Sequence, residues 1–218
     1  ATGTFTDPGT GDTHTASINW GDNDPVDLGT VTSPIYQKHT YTTAGVYTVT
    51  LTVTDDDGGS NTATFEYVVV YDPSAGFVTG GGWINSPEGA LVGTTLTGKA
   101  TFGFVSKYQK GATVPTGNTE FIFHVANFKF KSTSYEWLVM AGARAQYKGV
   151  GTVNGESGYG FMLTVIDGQI NGGGGVDKFR IKIWESATGD IIYDNQLGDS
   201  DTELPSTTLG GGSIVIHK

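Results

Sequence analysis

The sequence predicts an all-β protein built from two domains. Three observations carry that expectation. Residues 44–70 form two alternating runs around an acidic, Gly-rich turn: Tyr47, Val49, Leu51 and Val53 share one face and Thr48, Thr50, Thr52 and Thr54 the other. After the turn Ala63, Phe65, Tyr67 and Val69 resume the period. A two-residue period marks half-buried antiparallel strands. The 218 residues include 34 Gly and show no sustained helical period. The apolar residues, 37 % of the chain, are drawn heavily from Val, Tyr and Phe, beside abundant Thr, the residues that suit a pleated surface.

Taken in order, the first strands are expected at about residues 2–6, 15–20, 28–31, 36–41, 46–54 and 62–71. Ala16, Ile18 and Trp20 alternate with Thr15, Ser17 and Asn19, which puts Trp20 in the core. Six short strands in some 70 residues make a small sandwich. The charge shifts at the segment Asp72-Pro73-Ser74-Ala75-Gly76. Residues 1–72 hold ten acids against the single base Lys38, a net −9, whereas residues 73–218 hold twelve acids and eleven bases, a net −1. We therefore expect domains at 1–72 and 77–218 with a linker at 73–76. In the second domain strands are expected at 99–108, 119–131, 135–140, 143–154, 159–166, 178–185, 190–194 and 213–217. Phe121 and Phe123 alternate with Ile122 and His124, and Phe179, Ile181 and Ile183 with lysines and arginine. Gly155-Glu156-Ser157-Gly158 reads as a hairpin turn. That count of strands implies a larger β-sandwich or jelly roll.

Trp20-Gly21-Asp22-Asn23, then His39-Thr40-Tyr41, then Ala44 to Asp55 with Asp57-Gly58-Gly59, resemble the PKD domain across nearly all of residues 1–72. The resemblance implies an Ig-like β-sandwich of the kind found in bacterial and archaeal surface proteins and secreted hydrolases. Two features depart from the pattern: the chain begins inside the first strand region, and the segment from Asp22 to His39 is longer than usual. Gly80-Gly81-Gly82-Trp83-Ile84, Gly103-Phe104-Val105-Ser106-Lys107 and Phe179 to Trp184 are similar to a Gly-rich C-terminal module of bacterial secreted proteins. Together they imply a secreted, extracellular region, the C-terminal part of a larger protein.

The acids point to a cation. Calcium takes six to eight oxygens from carboxylates, carbonyls and amides on flexible loops. The 55–57 turn and the 7–12 loop supply Asp55, Asp57, Asp7 and Asp12, and the resemblance to PKD-like sandwiches implies that these loops share one end and hold Ca²⁺. The competing reading is a solvated acidic turn. In the second domain Asp167, Asn171 and Asp177 form a further irregular candidate: the loop at Asp167 begins like an EF-hand but has Lys178 where position twelve needs Glu. Asp194 and Asp199 are another pair to consider.

Catalytic motifs for acyl transfer, zinc hydrolysis, phosphate cradling and dinucleotide binding are missing. Cys is absent, which removes disulfides and Cys-based zinc sites. Glu120, Glu136 and Glu185 are candidates for a glycosidase pair, but their spacing singles out none. The chain is therefore expected not to be an enzyme. Aromatics offer the other route to function: Trp83, Trp137, Tyr147 and Trp184 would stack on sugar rings if exposed on one sheet face. Otherwise they fill the core. The net charge of −10 disfavours nucleic acid and anionic membranes as partners. The expected role is a monomeric, calcium-stabilised spacer or interaction region, whose partner is a polysaccharide or another extracellular protein domain. A carbohydrate-binding module is the alternative, and a hydrolase the third reading.

Overall fold

The computed structural model describes all residues except Thr10, Ala75 and Lys218, and of Tyr67 the backbone alone. The expected face position of Tyr67, and Ala75 of the expected linker, lie outside the described residues. The described residues are all-β, with one 3-10 turn, and the chain forms two compact units, Ala1–Val70 and Tyr71–Lys218.

The first unit contains β1 (Thr2–Gly3), β2 (His14–Asn19), β3 (Val26–Val31), β4 (Ile35–Tyr36), β5 (Gly45–Asp55) and β6 (Ser60–Val70). Four of these make a sheet in the order β3-β2-β5-β6, and β1 pairs with β4 in a second, two-stranded sheet. Ile18, Trp20 and Val49 form the buried centre, with Leu28, Tyr41, Leu51 and Val68 packed around it. Two expected strands shrink. Residues 2–6 pair only at Thr2–Gly3. Residues 37–41 leave the sheet because their rings serve Trp20: His39 stacks on it at 4.9 Å, and the Tyr41 hydroxyl donates to its carbonyl. The face assignment of β5 also shifts. Between the pairs Tyr47↔Val68 and Val49↔Phe65, β6 carries one residue more than β5. This bulge flips the parity, so Val46 and Val49 are buried where alternation would bury Tyr47 and Val49. Phe65, opposite buried Val49, is 62 % exposed, because the small second sheet does not reach over β6.

The second unit contains β7 (Phe77–Ser86), β8 (Gly98–Tyr108), β9 (Pro115–Phe123), β10 (Phe128–Ala141), β11 (Arg144–Val153), β12 (Glu156–Ile166), β13 (Lys178–Glu185), β14 (Ile191–Asp194) and β15 (Gly211–His217). They form one antiparallel sheet in the order β14-β13-β12-β11-β10-β9-β8-β7-β15. The order follows the chain except for β15, which returns beside β7. The expected larger sandwich therefore takes the form of one meandering sheet curled upon itself, without the crossing connections of a jelly roll. Strands five places apart meet inside: Phe102 of β8 stacks on Phe179 of β13 at 4.1 Å. The free edge is closed by loops, since Val92 and Asp194 exchange backbone bonds with residues 192 and 90, and Phe179 and Leu209 with residues 207 and 177.

The interior is filled by Phe121, Phe123, Phe130, Tyr147, Phe161, Phe179 and their neighbours, all fully buried. The segment expected as one strand at 119–131 is two strands, β9 and β10, joined by the 3-10 turn His124–Ala126 with Asn127 in the left-handed region at φ 49°. The β11–β12 turn is Asn154-Gly155, both at positive φ, the pair that a tight hairpin favours, one step before the glycine run from which it was expected. Residues 77–86, which are not among the expected strands, form the full strand β7.

Candidate functional site

The acidic end of the first unit is assembled by hydrogen bonds within the protein. Asp7 accepts the Gly9 N–H at 2.8 Å and pairs with His14 Nε2 at 2.9 Å. Asp55 accepts the Asp57 N–H at 2.6 Å, closing the turn. The strand alternation that would send Asp55 and Asp57 to one side ends here. The residue that reaches the 7–13 loop is Asp56: its N–H donates to the Thr13 carbonyl, and its carboxylate accepts the Thr13 hydroxyl at 3.1 Å. Hydrogen bonding to the carboxylate from the Thr13 backbone first, and then from the Thr13 hydroxyl, holds the Asp56 carboxyl below its ordinary value. Asp7, His14 and Asp55 line one groove of about 540 Å³ with Phe5 and Val53. Asp12 and Asp57 are not among its lining residues.

The second-unit acids close the sheet. Asp167 is buried; one oxygen accepts the Gln169 N–H at 3.0 Å and the other the Ile216 N–H at 2.9 Å. Asp177 accepts the Gly168 N–H at 2.8 Å and the Ile214 N–H at 2.7 Å. Each carboxylate thus gives one oxygen to an N–H of its own loop and the other to one of two alternate N–H groups of β15. Among the described residues no hydrogen bond joins the Asn171 side chain to either carboxylate. Among the described residues no group of three or more His, Cys, Asp or Glu side chains is placed to hold a metal ion. Asp194 forms a two-pronged pair with Arg180 at 3.1 and 2.8 Å, while the Asp199 carbonyl accepts from the same guanidinium.

That guanidinium is the centre of a buried polar cluster which the sequence did not announce. Arg180 is 3 % exposed and also donates to the Ser200 carbonyl, with Asp201 3.8 Å away. Lys182 binds Asp201 at 2.9 Å, and Arg144 and Gln146 donate to the carbonyls of Thr202 and Asp201. The cluster fastens residues 199–202 over the outer face of β11, β12 and β13. Burial works against the Arg180 charge, but Asp194, Asp201 and Asp199 outweigh it and raise its pKa. Arg144 shifts the other way, lowered by burial and by the charge of Arg180.

The candidate aromatics separate cleanly. Tyr147 is completely buried, with its hydroxyl bonded to Thr119 at 2.8 Å, so it is a core residue and not a ligand platform. Trp83, Trp137 and Trp184 are half-buried on the outer face. Trp83 lies against Gly210 and Gly211, where a methyl group would approach its ring to 2.3 and 2.8 Å, with the Lys99 ammonium 4.9 Å from its centre. Trp184 covers Gly160, with Lys148 at 5.8 Å; Lys148 is also the register partner of Trp137. The three glutamates each keep a separate partner: Glu120 with Lys131, Glu136 with Lys148 and Glu185 with Thr188.

The outer face of β7 to β11 holds a feature that the sequence reading missed. A groove of about 340 Å³ over Gly103, Asn118, Glu120 and Ile122 runs into one of about 590 Å³ over Lys129, Lys131, Thr152 and Asn154, and the two share Glu120 and Ile122. The signal available in the sequence was glycine and lysine at alternate, outward positions of apolar strands. No curated protein and no solved structure matches this chain. Residues 1–69, the unit whose Trp20, His39 and Tyr41 pack together at its centre, match the family model of the PKD domain, an Ig-like β-sandwich.

Proposed function

We propose that this chain is a non-catalytic accessory region of a larger extracellular protein, in which the PKD unit acts as spacer and the second unit contacts a ligand. The observation that carries this is the PKD match over residues 1–69, since PKD domains are non-catalytic modules of extracellular proteins. The second unit supports it. Its interior is solid with aromatic side chains, and its three candidate glutamates are each tied to a different partner instead of facing one another across a cleft. No helix among the described residues is long and apolar enough to cross a membrane. The purified chain is expected to turn over none of a panel of glycoside, ester and peptide substrates. Hydrolysis above the buffer rate that disappears in Glu120→Gln or Glu136→Gln would overturn the reading.

Binding to carbohydrate is favoured by a specific observation: the half-buried Trp83, Trp137 and Trp184 all face outward, two of them beside a lysine. Calcium enters the proposal through the first unit alone, at the end where Asp7 and Asp55 line one groove.

A further inference from the structure

Two glycines on the outer face of the second unit lack a packing reason. Gly81 of β7 and Gly103 of β8 are direct register partners in the middle of the sheet. A side chain begun at Gly103 would meet nothing within 4 Å, and at Gly81 only a carbonyl at 3.9 Å. Neither has the positive φ that calls for glycine. Their neighbours behave differently: Gly80 makes room for Phe104, and Gly82 for the backbone of Gly211. Glycine weakens a strand interior, and where nothing in the fold demands it, it often marks a place where another molecule lies close to the backbone.

Gly103 lines the groove, and Gly81 extends the bare surface beside it onto β7. Glu120 is the register partner of Gly103, and Lys131 that of Glu120, so one row crosses the sheet as Gly81, Gly103, Glu120, Lys131 and Thr152. Thr101 and Ile122 stand on one side of this row, beside the half-buried Trp83, and Val105 and Asn118 on the other. The face is also locally cationic. The outward positions of β8, β9 and the first half of β10 carry Lys99, Lys107, Lys129 and Lys131 against the one carboxylate of Glu120, in a chain whose net charge is −10. Lys129 and Lys131 line the groove itself, Lys131 paired with Glu120 at 3.4 Å, and Lys99 and Lys107 stand beyond it at the two ends of β8.

We infer that this glycine-floored, lysine-bordered groove binds an extended anionic polysaccharide. The inference rests on the non-catalytic reading above and names the ligand class of its second unit. A polymer of sugar rings is flat enough to lie on a floor without side chains, and hydroxyl, amide and ammonium groups along the walls supply both donors and acceptors. Excess lysine selects acidic groups. A peptide strand is disfavoured, because β7, β8, β9 and β10 each have strands on both sides and offer no free edge for main-chain pairing. Nucleic acid is disfavoured by the lack of a series of exposed rings along the groove and by the acidic remainder of the chain.

The test is affinity electrophoresis and calorimetry of the full chain with polygalacturonate, dextran sulfate, neutral dextran and a mixed-sequence oligonucleotide. Retardation by polygalacturonate or dextran sulfate, weakened by salt, is expected; the two arms separate carboxylated from sulfated ligands. Gly103→Phe fills the floor into open space. It should leave the melting temperature no lower than that of the parent and lower affinity by about tenfold or more, as a clash built into a site does. Lys129→Ala with Lys131→Ala should weaken binding and flatten its salt dependence. Equal binding of neutral dextran or of the oligonucleotide, no binding of either acidic polysaccharide, or unchanged affinity in a folded Gly103→Phe variant would each overturn the inference. These outcomes are separate from substrate turnover, which alone would remove the non-catalytic reading.

Discussion

At the residue scale, the carboxylates show how the same residue type serves different ends. Asp56 is exposed yet held below its ordinary value of 3.8 by its bonds to Thr13. A depressed folded value means that the unfolded chain binds the proton more readily. The contribution of Asp56 is therefore complete above the unfolded value and is lost as pH falls through the lower native one. An NMR titration should give an Asp56 midpoint below that of an Asp in a short peptide, and Thr13→Ala should move it back up. Asp167 is buried, and its acceptor role can be removed outright. Asp167→Ala strands the Ile216 N–H and should cost about 1–3 kcal/mol in a denaturant midpoint. The sequence reveals that Asp167 and Asp177 are acidic and lie in a loop, features shared by a calcium ligand and a backbone clamp. It does not reveal that β15, some 40 residues onward, presents N–H groups to them. A long-range backbone contact leaves no local pattern, whereas the core positions of Trp20, Phe121 and Ile181 do, because burial imposes a period.

At the element scale, strands were legible wherever one face is buried and the other wet. β13 and β8 follow the pattern to within a residue, and β5 followed it until the bulge opposite Thr48 changed its parity. The 119–131 segment failed because His124 and Val125 continue the apolar-polar alternation through a turn whose only local mark is Asn127 in the left-handed region. Two substitutions test element-level energetics. Gly103→Val places a β-branched residue in open space on a central strand and should raise stability by roughly 0.5–1 kcal/mol, measured as an upward shift in melting temperature. Asp194→Ala does the opposite. It removes the two-pronged half of a buried ion pair and leaves the Arg180 charge with Asp201 at 3.8 Å as its nearest carboxylate, which should cost up to about 3–5 kcal/mol. Protease accessibility around residues 199–202 should rise with it, because the same guanidinium ties that loop down.

At the scale of the whole molecule, the all-β class was readable from composition and period, but the topology of the second unit was not. A meander and a jelly roll have similar strand lengths and turn residues; they differ in which strands meet, as in the contact of Phe102 with Phe179. The groove was illegible for a related reason. Gly81 and Gly103 look like other strand glycines until their open surroundings set them apart from Gly80 and Gly82. The calcium proposal can be tested on each unit separately. Because Asp167 and Asp177 engage both oxygens with backbone donors, calorimetry should show the transition of the second unit unmoved between Ca²⁺ and EDTA. Any calcium response should fall in the first unit, about 1.4 kcal/mol at tenfold excess over Kd. A shift confined to the second unit, or none at all, would remove calcium from the proposal.

The return of β15 to the side of β7 has a consequence for how the protein is made. During synthesis the meander from β7 to β14 emerges in order, each strand able to pair with the one before it. The seal waits for residues 211–217, and until then the outer edge of β7 and the acceptors of Asp167 and Asp177 stay unmatched. A ribosome-bound chain would therefore hold an open sheet, and it would snap shut only when β15 became free.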